Sequence, residues 1–231
     1  MGRHSGSGTR AEDEVIAALR TQLEREEILL TGVRITDPRE GDVEVDIIVL
    51  FPDLGAAVIE VKGGLVQYAA REWTTSRGSY RRRIHPTEQA RKGKHALRRY
   101  LDRQPEWTGP LLRSAWFVAT PQTPITGDMG PEGERSHLIG QGDLPQLRDR
   151  LRTVLASTLN TDPIPSPGWE QDALALLLRT QVTPVKGHRR RRNIPPTALQ
   201  SVLIKIANGV ETREDSKIVE LMLMAHTIPT G

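Results

Sequence analysis

The sequence contains no cysteine among its 231 residues, and only 4% of the residues are aromatic. Without cysteine, disulfide frameworks, thiolate zinc sites and cysteine nucleophiles are excluded. With so few aromatic rings, the chain gives little sign of a base-stacking surface. No apolar run approaches the roughly 20 residues that a membrane helix requires. The N-terminal stretch MGRHSGSGTR also lacks the apolar segment of a signal peptide. We therefore expect a cytoplasmic protein that does not enter a membrane.

Positive charge is unevenly distributed along the chain. The net formal charge is only +3, yet residues 71–104 hold eleven Lys and Arg against three Asp and Glu. Four consecutive arginines at 189–192 form a second basic cluster. Concentrated positive charge is typical of proteins that bind polyanions. A solvated basic helix face followed by a basic linker is the stronger explanation when the charge run is considered alone.

The order of predicted elements indicates a mixed α/β domain with a central sheet flanked by helices. Helical spacing of Val15, Leu19 and Leu23 predicts a first helix over residues 9–30. Two β-prone runs separated by the turn at 51–55 predict a hairpin. The predicted strands cover residues 33–36, 43–51, 56–62, 65–73, 112–119 and 137–139, and further helices cover 86–103, 144–155 and 168–180.

The two ends of the chain are predicted to lie outside this domain. Residues 1–8 are expected to form a flexible tail, and the basic, proline-containing stretch 181–196 a linker. Residues 197–231 are expected to form a small helical hairpin, which is too short to build a core of its own. We expect this hairpin to dock on the main domain, to form a homodimer or to bind a protein partner.

The predicted hairpin carries three charged residues at the end of its apolar runs. If Leu50 pairs with Ala56, Asp46 lies opposite Glu60, with Cβ atoms about 4.5–5.5 Å apart. Lys62 lies on the same face as Glu60, because side chains alternate along a strand. Two carboxylates at this distance repel each other unless a cation lies between them, and Mg²⁺ prefers oxygen ligands. Lys62 could then orient or help to deprotonate a metal-bound water.

These motifs resemble the nuclease-related domain (NERD) family, a branch of the PD-(D/E)xK nuclease superfamily. The resemblance covers about residues 8–150. Ile47 stands where the family usually has histidine, and Ala11 where it usually has glycine. Pro52-Asp53 spells the superfamily's "PD" but falls in the turn, so we assign it no role. The matching segments are GxxAExxV at 8–15, VDIIV at 45–49, VIEVKG at 58–63, Trp73, and HPxxQA at 85–90 with Ala96-Leu97.

The resemblance implies a restriction-endonuclease-like fold, with a four-stranded mixed sheet flanked by helices. It also implies a nuclease that depends on Mg²⁺ or Mn²⁺, for which we expect DNA rather than RNA as the substrate. In this interpretation Asp46 and Glu60 hold the metal with the Val61 carbonyl, and Lys62 positions the attacking water. Glu12 and Gln89 support the site. The residues expected to bind the nucleic-acid backbone are Arg81, Arg82, Arg83, Arg91, Lys92 and Lys94.

Each assignment has a structural alternative. Asp46 could be an edge-strand aspartate that binds a neighbouring backbone group, and Glu60 and Lys62 could form an ion pair at the surface. Glu12 could serve a capping box with Thr9, and Gln89 could be only a polar residue on the inner face of its helix. The basic residues could be solvated surface. At the level of the whole chain, the alternatives are a non-catalytic nucleic-acid-binding module and an interaction adaptor that works through the C-terminal helices.

Overall fold

The computed structural model describes residues 8–107, 112–157 and 166–181, which form two sheets and four α-helices. Two short 3₁₀ helices, Arg135–His137 and Gln141–Gln146, flank the last strand. The strands are β1 Ile28–Asp37, β2 Gly41–Phe51, β3 Gly55–Val61, β4 Leu65–Ala69, β5 Glu72–Arg77, β6 Tyr80–Ile84, β7 Ser114–Thr120 and β8 Leu138–Gly140. The helices are α1 Gly8–Arg20, α2 Pro86–Asp102, α3 Leu147–Ser157 and α4 Trp169–Gln181.

The main sheet has five strands in the order β1-β2-β3-β7-β8. The first three strands pair antiparallel, whereas β7 is parallel to β3 and β8 is parallel to β7. All seven residues of β3 are buried, because this strand has neighbours on both sides and helices on both faces. The predicted mixed α/β fold with a sheet flanked by helices is therefore confirmed, with one strand more in the main sheet than the resemblance implied.

The helices form two layers on opposite faces of the main sheet. On the first face, α1 and α3 pack through residues such as Val15 and Leu151. On the second face, α2 and α4 pack through residues such as Leu97 and Leu174. The approach of α2 is closest at Gly93, where a Cβ atom would lie 3.1 Å from Val45 Cγ2. The core therefore holds β2 and β3 rigidly between the two helical layers.

A second, three-stranded sheet follows β3 in the chain, in the order β4-β5-β6. We predicted one strand over residues 65–73, and this was wrong because Ala70 and Arg71 adopt positive φ angles of 51° and 64° and turn the chain into β5. Positive φ at both central residues is typical of a tight two-residue hairpin. The three arginines at 81–83, where no strand was predicted, lie in the exposed edge strand β6.

The first helix is shorter than the sequence pattern predicted. It ends at Arg20, and residues 28–30 belong to β1, where Ile28 pairs with Leu50 and Leu30 with Ile48. Pairing with β2 buries these apolar residues in the sheet, so tertiary contacts overrule the helical spacing. Because the helix already begins at Gly8, Thr9 lies within its first turn and not at the predicted cap.

The other predicted elements of the described chain agree with the structure to within a few residues, apart from β1, which extends over Ile28–Asp37. The predicted linker and C-terminal hairpin lie outside the described residues except for Gln181, as does the N-terminal tail except for Gly8, which begins α1. Within the described ranges, every helix is too short or too polar to cross a bilayer.

Candidate functional site

Asp46, Glu60 and Lys62 meet where the β2–β3 ladder ends. Leu50 pairs with Ala56, as predicted, and the last paired residues are Ile47 and Ile59. The next step along the same register places Asp46 opposite Glu60. The Lys62 ammonium forms an ion pair with Glu60 Oε1. The structure thus brings the three predicted side chains to one end of two central strands.

Asp46 occupies an irregular position in β2. Val45 packs on the α2 face of the sheet and Ile47 on the α1 face, although residues two apart normally share a face. Gly32, with a φ of 59°, lies opposite Asp46 on β1, where the ladder skips one pair. Strand irregularities of this kind occur beside active sites, where they redirect a side chain.

The irregularity aims the Asp46 carboxylate across the ladder at β3. Its Oδ2 accepts a hydrogen bond from the Val61 N–H at 2.7 Å. Asp46 therefore does bind a neighbouring backbone group, as the structural alternative stated. However, β2 lies between β1 and β3, so Asp46 is not an edge-strand residue. This hydrogen bond fixes the carboxylate beside the Glu60–Lys62 pair.

The Glu60–Lys62 ion pair is an interior feature and not a surface pair. Glu60 is only 7% exposed, and the Lys62 side chain is 20% exposed. Burial raises the pKa of Glu60 to about 7, and repulsion from Asp46 adds to this, while the Lys62 ammonium acts in the opposite direction. One ammonium does not offset the desolvation of the carboxylate at this position.

The two other acids at the site have raised pKa values as well. Burial raises the pKa of Asp46, and the Val61 N–H and the Lys62 ammonium oppose this shift. Burial also raises the pKa of Glu12 on α1; Asp46 adds to this shift and Lys62 opposes it. Glu12 is therefore close enough to interact electrostatically with Asp46 and Lys62. The helix start at Gly8 removes the capping-box explanation for Glu12.

The chemistry of these donors fits a hard divalent cation. Asp46 uses Oδ2 for Val61 and Glu60 uses Oε1 for Lys62, and no described hydrogen bond involves the second oxygen of either acid. Within residues 8–107, 112–157 and 166–181, no group of three or more acidic or histidine side chains is arranged to hold a metal. Mg²⁺ commonly takes one or two carboxylates and keeps several waters. Two acids with raised pKa values suit such a site.

Gln89, a predicted supporting residue, makes no described hydrogen bond with the side chains of Asp46, Glu60 or Lys62. Gln89 is exposed on α2, four residues before Gly93. The Val61 N–H is occupied by Asp46, and a metal-binding role for the Val61 carbonyl remains a prediction, as does the supporting role of Gln89.

The structure adds two residues that the motifs did not single out. Gln122 Oε1 accepts the Gly64 N–H at 2.6 Å, and Thr123 Oγ1 accepts the Val66 N–H at 2.9 Å. Both residues follow β7, the parallel neighbour of β3. The ends of parallel neighbours lie at the same edge of a sheet, so the position of this turn was the available signal.

The predicted phosphate-binding residues fall into two groups with different surroundings. On α2, Lys92 pairs with Glu88 at 3.3 Å and Glu40 at 3.5 Å, while Arg91 lies 3.7 Å from Glu132. Lys94, also on α2, is half-buried and is likewise not without an interaction partner.

On β6, Arg81, Arg82 and Arg83 are all exposed. Arg81 donates to the Thr74 hydroxyl at 3.2 Å, and Arg83 pairs with Glu72 at 3.1 Å. Of the predicted phosphate-binding residues, Arg91 and Lys92 on α2 therefore pair with carboxylates. On β6, Arg83 pairs with a carboxylate and Arg81 contacts a neutral hydroxyl.

A comparison with protein families matches residues 7–118 to the nuclease-related domain, NERD. The matched stretch runs from α1 into β7 and includes Glu12, Asp46, Glu60 and Lys62. The resemblance inferred from the sequence motifs is therefore confirmed over residues 7–118, and its extension to about residue 150 stays a prediction. Comparisons with curated proteins and with solved structures gave no match.

Proposed function

We propose that this chain, which carries a nuclease-related domain at residues 7–118, hydrolyses phosphodiester bonds of nucleic acid with the help of Mg²⁺ or Mn²⁺. The observation that carries the proposal is the convergence of Asp46, Glu60 and Lys62 at the buried end of β3. We propose DNA as the first substrate to test, with RNA as the comparison, and a cytoplasmic location.

Asp46 and Glu60 would hold the ion. When bound, such an ion lowers the pKa of a coordinated water and stabilises negative charge on the phosphate. The Lys62 ammonium would orient the attacking water and neutralise charge that develops on the phosphate. Glu12 would support the site from α1, because its carboxylate lies close enough to interact with Asp46 and Lys62.

The small sheet is the surface that we favour for the nucleic-acid backbone. It begins at Leu65, three residues after Lys62, and its edge strand β6 carries three exposed arginines. The β4–β5–β6 register aligns Leu65, Ser76 and Arg81 in one row across the sheet. Arg81 is therefore two strand spacings, about 10 Å, from Leu65. Contacts to phosphates position the substrate without reading its sequence, so we expect little base specificity.

A second candidate function rests on the same ion pair. Because Lys62 binds Glu60 directly, the pair could serve only to neutralise two buried charges. The chain would then be a non-catalytic nucleic-acid-binding module. This alternative predicts binding without metal-dependent cleavage.

The two candidates are separated by incubating supercoiled and single-stranded DNA with the protein in Mg²⁺, in Mn²⁺ and in EDTA. The proposal predicts cleavage only with metal and its loss in Lys62→Met and Glu60→Gln. Glu170→Gln is a matched control, because Glu170 is also buried, at 8% exposure, but lies in the first turn of α4. Equal binding by wild type and Lys62→Met, with no cleavage by either, would favour the binding module.

A further inference from the structure

We infer that Gln122 is a positioning residue that fixes the Lys62 end of β3 relative to α1, the helix that carries Glu12. This inference rests on the proposed nuclease function. It concerns a residue of the β7–β8 connection that lies beyond the family match at 7–118.

The segment that follows Lys62 is held closely by its surroundings. The Lys62 N–H donates to Ala119 O at 2.8 Å, and the chain then leaves the main sheet through Gly63 and Gly64. Gly64 has a φ of 83°, and a Cβ atom there would lie 2.7 Å from Ser76 O. Glycine is required at this close approach, but glycine alone leaves the backbone free to move.

Gln122 adds a constraint on this glycine segment, which Thr75 Oγ1 also holds by donating to Gly63 O at 2.7 Å. Its Oε1 accepts the Gly64 N–H at 2.6 Å, and its Nε2 donates to Glu14 Oε1 at 3.3 Å. Glu14 lies on α1, two residues after Glu12. One half-buried side chain therefore joins the backbone just after Lys62 to the helix that carries Glu12.

The neighbouring Thr123 anchors the base of this bridge. Its hydroxyl accepts the Val66 N–H at 2.9 Å and donates to Gly64 O at 3.2 Å. Its carbonyl accepts the Gln141 N–H at 2.9 Å. Because Thr123 is buried and bonded on both sides, the Gln122 backbone is fixed, and its side chain can hold Gly64 and Glu14 at a set separation.

Loss of the bridge would act on the chemical step more than on substrate binding. Without Gln122, the Gly64 N–H loses its partner. The bonds that remain at the Lys62 N–H, Gly63 O and Gly64 O then hold this backbone less tightly, so that Lys62 can shift. An ammonium displaced by about 1 Å from its productive position can lower a rate up to about 100-fold. Binding of the nucleic-acid backbone through distant arginines would change little.

The chain offers a matched control in Gln22. This residue is also half-buried and also makes two side-chain hydrogen bonds, from Nε2 to Leu144 O at 2.7 Å and from the Arg148 N–H to Oε1 at 3.0 Å. It joins the chain just after α1 to Leu144 and to α3, and none of its described hydrogen bonds reaches the segment after Lys62. A purely structural loss would therefore be similar in Gln22→Ala and Gln122→Ala.

The test compares the two alanine variants at conditions where both are folded. We expect Gln122→Ala to lower kcat about 10- to 100-fold with KM within about twofold of wild type, and Gln22→Ala to change neither. Gln122→Glu alone should lower kcat as much as Gln122→Ala, because it places its carboxylate against that of Glu14. Adding Glu14→Gln to Gln122→Glu reverses donor and acceptor and should restore kcat. Equal kcat losses in both alanine variants, or no restoration, would overturn the inference.

A second readout does not depend on turnover. Amide hydrogen exchange at Gly64 should become faster in Gln122→Ala and remain unchanged in Gln22→Ala. An unchanged rate at Gly64 in Gln122→Ala would overturn the inference even if the wild type is an active nuclease. Conversely, a wild type that does not cleave with any metal would overturn the proposed function, independently of the exchange result.

Discussion

Two buried acids, Asp37 and Glu60, have electrostatic surroundings that shift their pKa values in opposite directions. Each carries a cationic partner, and their exposures are only 1% and 7%. Asp37 accepts hydrogen bonds from Arg99 Nε at 2.8 Å and from the backbone N–H groups of Arg39 and Glu40. These bonds lower the pKa of Asp37 to about 2, with Arg99 the largest cause.

Glu60 is in the reverse situation. Burial raises its pKa to about 7, and its described hydrogen-bonding partner is Lys62 alone, with Asp46 as a repelling neighbour. The charge of Asp37 is therefore satisfied within the chain, and it serves the β1–β2 turn. The charge of Glu60 is only partly satisfied, which is the condition expected of a group that is completed by a bound cation.

The largest expected effect concerns catalysis. We expect Glu60→Gln and Asp46→Asn to reduce metal-dependent cleavage by about 10³-fold or more, because each removes a charged ligand that the chemical step needs. Asp37→Asn should keep kcat close to the wild-type value when the protein is folded. The measurement is kcat on a defined DNA substrate, with circular dichroism to verify folding. A comparable loss in Asp37→Asn would remove the distinction between the two acids.

The same substitutions should act on stability in opposite directions. We expect Asp37→Asn to lower the free energy of unfolding by about 2 kcal/mol, because Arg99 and two N–H groups lose their charged partner. Glu60→Gln should raise it by about 1–2 kcal/mol at pH 8 without metal, because a poorly compensated buried charge is removed. Urea unfolding measures both values. Destabilisation by Glu60→Gln at pH 8 would contradict the account of its environment.

The pH dependence follows from the same pKa values. A folded pKa below the ordinary value makes Asp37 stabilising above about pH 4, and this contribution is lost as the pH falls towards 2. A folded pKa near 7 makes Glu60 stabilising below its ordinary pKa of 4.5, and this contribution is lost as the pH rises through 7. Unfolding curves from pH 3 to 9 should therefore show the high-pH decline weakened in Glu60→Gln only.

We expect a bound metal ion to stabilise the folded protein through Glu60 and not through Asp37. At a concentration 100 times its dissociation constant, an ion that binds only the folded state adds about 2.7 kcal/mol to the free energy of unfolding. We expect Mn²⁺ to raise the melting temperature of wild type and Asp37→Asn, but not of Glu60→Gln. Differential scanning fluorimetry with and without EDTA measures this. An equal rise in all three proteins would indicate binding elsewhere.

The smallest expected effects concern the basic surfaces. Arg81→Ala should weaken DNA binding a few-fold and reduce its salt dependence, because a phosphate contact is lost. Lys92→Ala should have less effect, because Glu88 and Glu40 already pair with this ammonium. Binding measured at two salt concentrations distinguishes the surfaces. A larger loss for Lys92→Ala would place the nucleic acid on α2 instead of the small sheet.

The sequence was sufficient to predict the register of the central hairpin. Two β-prone runs around a short turn suggested the pairing of Leu50 with Ala56, and the position of Asp46 opposite Glu60 follows from that register. The Pro52-Asp53 dipeptide lies in the turn, as predicted, and Asp53 pairs with Arg152 on α3.

The remaining features depend on contacts between distant residues. Helical spacing over residues 9–30 could not reveal that Ile28 pairs with Leu50. The break in alternation at Asp46 lies opposite Gly32 of the neighbouring strand, whose φ is 59°. The bond from Gln122 to Gly64 spans 58 positions in the chain. Sequence patterns reflect interactions between residues that are close along the chain, whereas these features depend on contacts between residues that are distant in sequence.

A crystal structure with Mn²⁺ would test the central claim most directly. The account predicts an anomalous scattering peak between the carboxylates of Asp46 and Glu60, with the Lys62 ammonium beside the waters of the ion. If millimolar Mn²⁺ leaves no peak there and Lys62 still binds Glu60, these residues form a closed charge pair, and the catalytic proposal is wrong.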